Sequence, residues 1–238
     1  MTPGPLVARG RVVMVFLGLT AVVDLARLAF VVSETAYLRA VLNGETISLS
    51  AARASDDRIT AATGFALLLL IATGTAWCIW QHRGHRNLRD LGRAHLKFTP
   101  AWAVGWWFIP IANLFKPFQS VRELWQASEP IGDGAHWSMS STWPVIGGWW
   151  VCWIAPNVLA WGARGMRSSE DLHTIVSGDY LWMASDALLI VAAILAIAIV
   201  RSVLERQAAL MMLGPAPTAV PLMPLAIPPP PPPMPPMP

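Results

Sequence analysis

Residues 104–125 read VGWWFIPIANLFKPFQSVRELW. The first half has the composition of a membrane-spanning helix, and the second half is amphipathic. Between them stand Pro110, Asn113, Lys116 and Pro117. Pro110 has no N–H, so the carbonyl of Trp106 loses its helical partner; Pro117 does the same to Asn113. Ile109 and Lys116 precede the prolines and are pushed toward extended backbone. The stretch therefore does not read as one straight helix. In hydrocarbon, freed backbone groups need partners inside protein or in a water-filled cavity, and the Asn113 amide is placed to supply one. Two readings follow. One is a kinked span ending near Lys116, followed by a surface helix. The other is a re-entrant hairpin whose halves, 101–109 and 118–127, leave by the side they entered.

The rest of the chain sets the frame. Of 238 residues, 55% are hydrophobic and 13% charged, with mean hydropathy +0.49. A soluble domain carries about 25% charged residues, so this composition points to a helical integral membrane protein. Apolar runs at 12–33, 60–80, 143–162 and 180–200 read as spans. The first is too long for a cleaved signal peptide and lacks a small-residue cleavage site directly after it. Residues 1–10 form a short N-terminal tail, and residues 34–58 a polar loop. Arg83, Arg86, Arg89, Arg93 and Lys97 interleave with Leu88, Leu91 and Leu96. That pattern reads as a basic amphipathic segment lying against lipid headgroups. The stretch 207–238 is expected to be a disordered tail, proline-rich from Pro215 and unbroken proline from Pro228 to Pro233. Cys78 and Cys152 sit in apolar runs and read as small buried hydrophobes. The excess of Trp over Tyr, 13 against 2, suits membrane–water interfaces. Heavy use of Arg, Ala and Pro suggests a bacterial source.

Charge placement weighs the two readings of the opening stretch. With the 83–97 cluster and both termini in the cytoplasm, a re-entrant hairpin puts eleven basic residues inside against five outside. A crossing segment gives nine against seven. Three ionisable residues lie within the spans: Asp24, Arg27 and Asp186. Each is costly in hydrocarbon and calls for a partner. In the re-entrant arrangement Arg27 and Asp186 both lie about 9 Å below the outer surface, at about 1.5 Å per residue. They can pair there; Asp24 is also within reach of Arg27 at i, i+3. The expected fold is an all-α membrane bundle of four transmembrane helices plus a proline-broken re-entrant or interfacial segment over 100–127. The alternative is five transmembrane helices.

The run from Asn87 to Ser128 also resembles a bacterial membrane-protein family, the domain of unknown function numbered 4328. The likeness rests on Asn87-Leu88-Arg89, Leu91-Gly92, Pro100, Trp102 and Val104 to Phe108. Pro110, Asn113-Leu114, Lys116-Pro117, Gln119, Arg122-Glu123 and Trp125 complete it. It extends over roughly 10–205. It implies a multi-pass membrane protein, often with a proline-rich terminal tail, and brings no catalytic residues. In relatives such tails often precede the spans, whereas here the tail is C-terminal.

Chemistry-bearing motifs are sparse. His82 and His85 form a single H-x-x-H among arginines, whose field opposes a metal cation; no metal site and no cofactor are expected. His136 and His173 are isolated in polar loops, and no G-x-S-x-G, H-E-x-x-H or Walker pattern occurs. Trp149, Trp150 and Trp153 lie on one side of a helix. The functional reading is a non-enzymatic membrane scaffold or interaction module. Its candidate motif is Trp106, Trp107, Pro110, Asn113, Lys116, Pro117, Gln119, Arg122 and Glu123. Expected partners are the bilayer with its anionic lipids, a protein that takes the tail, and further copies of the chain, but no nucleic acid. The alternative is a small-solute or ion permease using the broken helix at Pro110–Pro117.

Overall fold

The computed structural model describes residues 4–46, 48–130, 137 and 143–213. The described residues form six α-helices: α1 (Gly4–Leu42), α2 (Leu49–Asp90), α3 (Pro100–Gly105), α4 (Lys116–Ala127), α5 (Pro144–Arg167) and α6 (Leu172–Leu213). Two 3-10 turns, Trp106–Phe108 and Ala112–Leu114, join α3 to α4, and no strand occurs among the described residues. Helices α1, α2, α5 and α6 are each long and apolar enough to cross a membrane. The chain is an integral membrane protein.

Three of these helices run beyond their apolar cores. α1 has 39 residues, and α2 and α6 have 42 each, against about 20 needed to span a bilayer. The polar loop expected over 34–58 is therefore mostly helix. Nothing interrupts α1 until Gly44, and Ser48 caps α2 by accepting from the Ala51 amide at 3.3 Å. Likewise 83–90 is the end of α2 rather than a separate surface helix, because no proline stands between the span and Gly92 and Gly84 keeps helical backbone within α2. α1 already begins at Gly4, within the expected tail, and α6 carries helix on to Leu213. The proline-rich segment lies outside the described residues.

Both α1 and α2 end in the same turn. Gly44 (φ 85°) and Gly92 (φ 78°) take the left-handed conformation that an added Cβ would strain. After each, the chain bonds back: Glu45 N to Ala40 O at 3.0 Å, and Arg93 N to Leu88 O at 3.0 Å. These are Schellman caps.

The four long helices pack antiparallel to their neighbours. Thr20 Oγ1 meets Thr73 Oγ1 at 3.0 Å between α1 and α2. Gly10 on α1 faces Leu204 on α6, and Gly178 on α6 lies against Ala163 and Met166 of α5. Trp77 of α2 stacks on Trp149 near the start of α5, with ring centroids 5.3 Å apart. The end of α2 and the start of α5 therefore lie at the same end of the bundle. The segment 100–127 leaves and returns at that end, so the described residues make four spans and not five. The end of α6 lies there too. Eleven basic residues collect at this end, five at the other, and Arg27 lies between.

Candidate functional site

The broken segment is built from its prolines. Pro100 opens α3, where Thr99 caps by accepting from the Trp102 amide at 3.2 Å. Pro110 ends the first 3-10 turn, with Ile109 extended at φ −99°, ψ 114°. At the tip Ile111 has φ 67°, ψ −52°, and Ala112 N donates to Pro110 O at 2.8 Å. This is a γ-turn of the positive-φ kind, a strained conformation for a β-branched residue. Pro117 does not break a helix; it stands in the first turn of α4, where its missing N–H costs nothing. Lys116, expected to be extended, is instead the first residue of α4. The tip leaves Phe108, Ile111, Leu114 and Phe115 exposed, with Phe108 and Ile111 75% and 77% accessible.

Two buried side-chain amides fix this hairpin to the bundle. Gln81 Oε1 accepts from Trp77 Nε1 at 3.0 Å and from Trp107 Nε1 at 2.9 Å. Its Nε2 donates to Ala103 O at 3.1 Å and Ser120 Oγ at 3.0 Å. Every hydrogen-bonding valence of the amide is used, tying α2, α3, the first 3-10 turn and α4 at one residue. Gln207 makes a second knot. Its Nε2 donates to Gly84 O at 3.2 Å and Ser128 Oγ at 3.1 Å, and its Oε1 accepts from Asn87 Nδ2 at 3.3 Å. Gly84 has no side chain, so Leu124 of α4 closes directly over α2.

Next to Gln81 lies a Ser–His–Glu series. Ser120 Oγ is 3.2 Å from His85 Nε2, and His85 Nδ1 is 3.8 Å from Glu123 Oε1. Glu123 accepts the Lys97 amide at 2.8 Å and the Phe98 amide at 3.0 Å. Burial raises the Glu123 carboxyl above its usual range, and these two amides act against that rise. The order is that of a nucleophilic triad, but Ser120 and His85 have no exposed surface. The Ser120 oxygen already accepts from Gln81. His85 Nδ1 makes no hydrogen bond, so the series is not continuous: Ser120 ties α4 to α2 through His85, and Glu123 ties α4 to the 97–98 strap. A substrate has no path to the buried hydroxyl.

An aromatic cluster seats the hairpin. The Trp107 ring lies 6.5, 6.0 and 6.3 Å from Trp149, Trp150 and Trp153 of α5. The three tryptophans on one side of α5 thus receive the hairpin. Trp150 Nε1 donates to Leu114 O at 3.2 Å, and Phe118 packs on the same ring. Trp106 instead stacks on Trp102 at 4.8 Å, with Lys116 Nζ 5.7 Å from its ring centre. Asn113 Oδ1 is buried without a hydrogen-bond partner. Gln119 and Arg122 point outward.

The basic cluster divides. Arg89 donates to Phe98 O at 3.3 Å and Arg93 to Glu129 O, so both brace the loop after α2. Lys97 contributes its backbone amide to Glu123. Arg83 and Arg86 line an open groove of about 710 Å³ with Arg9 and His82; Cys78, Ile79, Ala101 and Val104 form its apolar part. His82 and His85 are thereby separated, one in the groove and one in the buried series.

The intramembrane charges meet on the other side of the bundle. Arg27 lies 3.3 Å from Asp24 Oδ1 and 3.0 Å from Asp186 Oδ1. Asp186 has no exposed surface. Trp182 lies between two guanidinium groups, Arg27 at 6.0 Å and Arg167 at 5.7 Å. Arg167 pairs in turn with Glu34 at 3.1 Å and with Asp179.

A family model matches residues 43–205, more than half of the chain. The chain belongs to the family described as Domain of unknown function (DUF4328). The DUF4328 match takes in α2, the hairpin, α5 and most of α6. It leaves α1, with Asp24 and Arg27, outside, a shorter reach than the resemblance over 10–205. No curated protein and no solved structure matches the chain.

Sequence reasoning missed Gln81, Ser120 and Gln207. Gln81 and His85 stand four apart on α2, and Ser120 and Glu123 three apart on α4. Polar pairs at helical spacing were the available signal.

Proposed function

We propose that this protein is a non-enzymatic scaffold of the bacterial cytoplasmic membrane. Its working face is the arginine-rich end of the bundle. One observation carries the reading: α6, whose last residue Leu213 precedes the proline-rich stretch in the chain, ends at the same end of the bundle as the hairpin and the basic groove. Rigid seating of the hairpin through Gln81 and Trp107 supports a presenting surface rather than a moving gate. The excess of basic residues at this end supports a cytoplasmic placement for it and for both termini. Proline-rich segments suit docking into aromatic grooves of partner proteins. The test is cross-linking and co-purification from membranes, comparing the full chain with one lacking residues 215–238. Loss of specific partners with the tail is the expected result; an unchanged set overturns the tail's role.

One observation favours a second reading, a small-solute or ion permease. Asn113 Oδ1 and Asp186 Oδ2 are buried without partners, whereas Asp186 Oδ1 is paired with Arg27. Flux in proteoliposomes that depends on Asn113 and Asp186 would favour it. Absent flux, or flux indifferent to Asn113→Ala and Asp186→Ala, counts it out.

A further inference from the structure

The groove at the basic end has a chemical direction. Ile79, His82, Arg83 and Arg86 follow one another at i, i+3, i+4 and i+7, which puts them on one stripe of α2. This stripe is distinct from the buried one that carries Trp77, Gln81, His85 and Leu88. From Cys78 to Arg86 the helix rises about 12 Å. Along that rise the lining changes from apolar to basic, going from the bundle's middle toward its end. Arg9 from α1 adds a third guanidinium, and Ala101 and Val104 of α3 form the facing wall. No acidic residue lines the groove. Among the described residues none of Arg9, Arg83 and Arg86 is in an ion pair, and Arg83 Nε is buried without a partner.

We infer that this groove is a site for an anionic phospholipid. Its phosphate is held by Arg9, Arg83 and Arg86, and an acyl chain lies along Cys78, Ile79 and Val104. The apolar-to-basic order is the order of a lipid from chain to headgroup. Guanidinium donors match phosphate oxygens in geometry as well as charge. A water-soluble phosphate would use the arginines but not the apolar floor, so the lipid is the occupant that fits both. The proposal deepens the scaffold reading and rests on it in one respect, that this end lies at a bilayer surface. It does not depend on the tail.

The test is native mass spectrometry of the delipidated full chain, titrated with phosphatidylglycerol or with phosphatidylcholine. Phosphatidylglycerol is expected to bind more tightly and to resist displacement by excess inorganic phosphate. Arg83→Gln with Arg86→Gln should weaken phosphatidylglycerol binding about 30-fold, at about 1 kcal/mol per basic residue. The control pair Arg53→Gln with Arg58→Gln, at the other end, should leave it unchanged. Val104→Trp alters no charge and fills the apolar part of the groove, so it should also weaken binding; it guards against misfolding of the arginine variant. Equal binding of the two lipids overturns the proposal. So does a phosphatidylglycerol preference that survives both groove variants, or ready displacement by free phosphate. A lost tail partner with intact lipid binding would bear on the scaffold reading alone.

Discussion

Trp107 Nε1 donates to Gln81 Oε1 across 2.9 Å, joining the returning hairpin to the second span. The two residues are separated by 26 positions and by the whole basic loop. The bond shares its acceptor with Trp77, so the hairpin's seat and the aromatic cluster on α5 depend on one amide.

Replacing that amide should loosen the whole end. Gln81→Leu leaves two indole N–H groups without their acceptor and takes a donor away from the Ala103 carbonyl. The expected loss is about 3 kcal/mol, since each orphaned buried group costs about 1–3 kcal/mol. Thermal unfolding in detergent measures it. Gln119→Leu, on the exposed face of α4, should change stability by no more than about 0.5 kcal/mol.

Glu123 gives the end a pH dependence. Burial raises its folded-state pKa, opposed by the Phe98 and Lys97 amides. A raised carboxyl favours the protonated form on folding. Its contribution is therefore full below the unfolded value of about 4.3 and falls away as pH rises through the folded value. Glu123→Gln, which cannot ionise, removes that trend. Melting temperatures across this range should show wild type losing ground to the variant as pH rises; parallel curves would mean that Glu123 is not the titrating group.

Much of this architecture was legible in the chain. The four apolar runs, the break at Pro110 and the Arg27–Asp186 pair all follow from local chemistry and rise per residue. The amide knots do not. Gln207 stands alone in a long helix with no periodic signal, and the Gln81–His85 spacing does not say which neighbouring helix their face meets. Lys116 departs from the extended backbone expected before a proline for a related reason: a proline that breaks one helix can equally open the next. The helices outrun their apolar runs because polar residues beyond an apolar core stay helical when nothing local breaks them, although their composition is that of a loop.

The tip of the hairpin holds strain that can be released. Ile111 at φ 67° would be relaxed as glycine. Ile111→Gly should raise stability by about 1 kcal/mol, the lower end of the cost of such a conformation. Ile109→Gly, at an ordinary extended backbone, should lower it. Denaturation of the two variants side by side distinguishes strain from a general effect of glycine.

The intramembrane charges should behave as one unit. Arg27→Ala leaves Asp24 and Asp186 facing each other in a buried site and should cost about 3–5 kcal/mol. Exchanging the partners, Arg27→Asp with Asp186→Arg, should recover a large part of that loss. A double-mutant cycle on melting temperature reads the coupling, and additive losses would show that the contact contributes nothing.

The most direct test of the account is membrane topology. Compartment-sensitive reporters are placed at the N-terminus, after Ser128 and after Arg206. Because the 104–125 stretch turns back, all three should report the same side of the membrane, the cytoplasm. If the reporters after Ser128 and Arg206 both lie opposite the N-terminal one, the stretch crosses. The seat of Trp107 on Gln81, the shared end of the groove and α6, and the depth match of Arg27 with Asp186 would then be contradicted together.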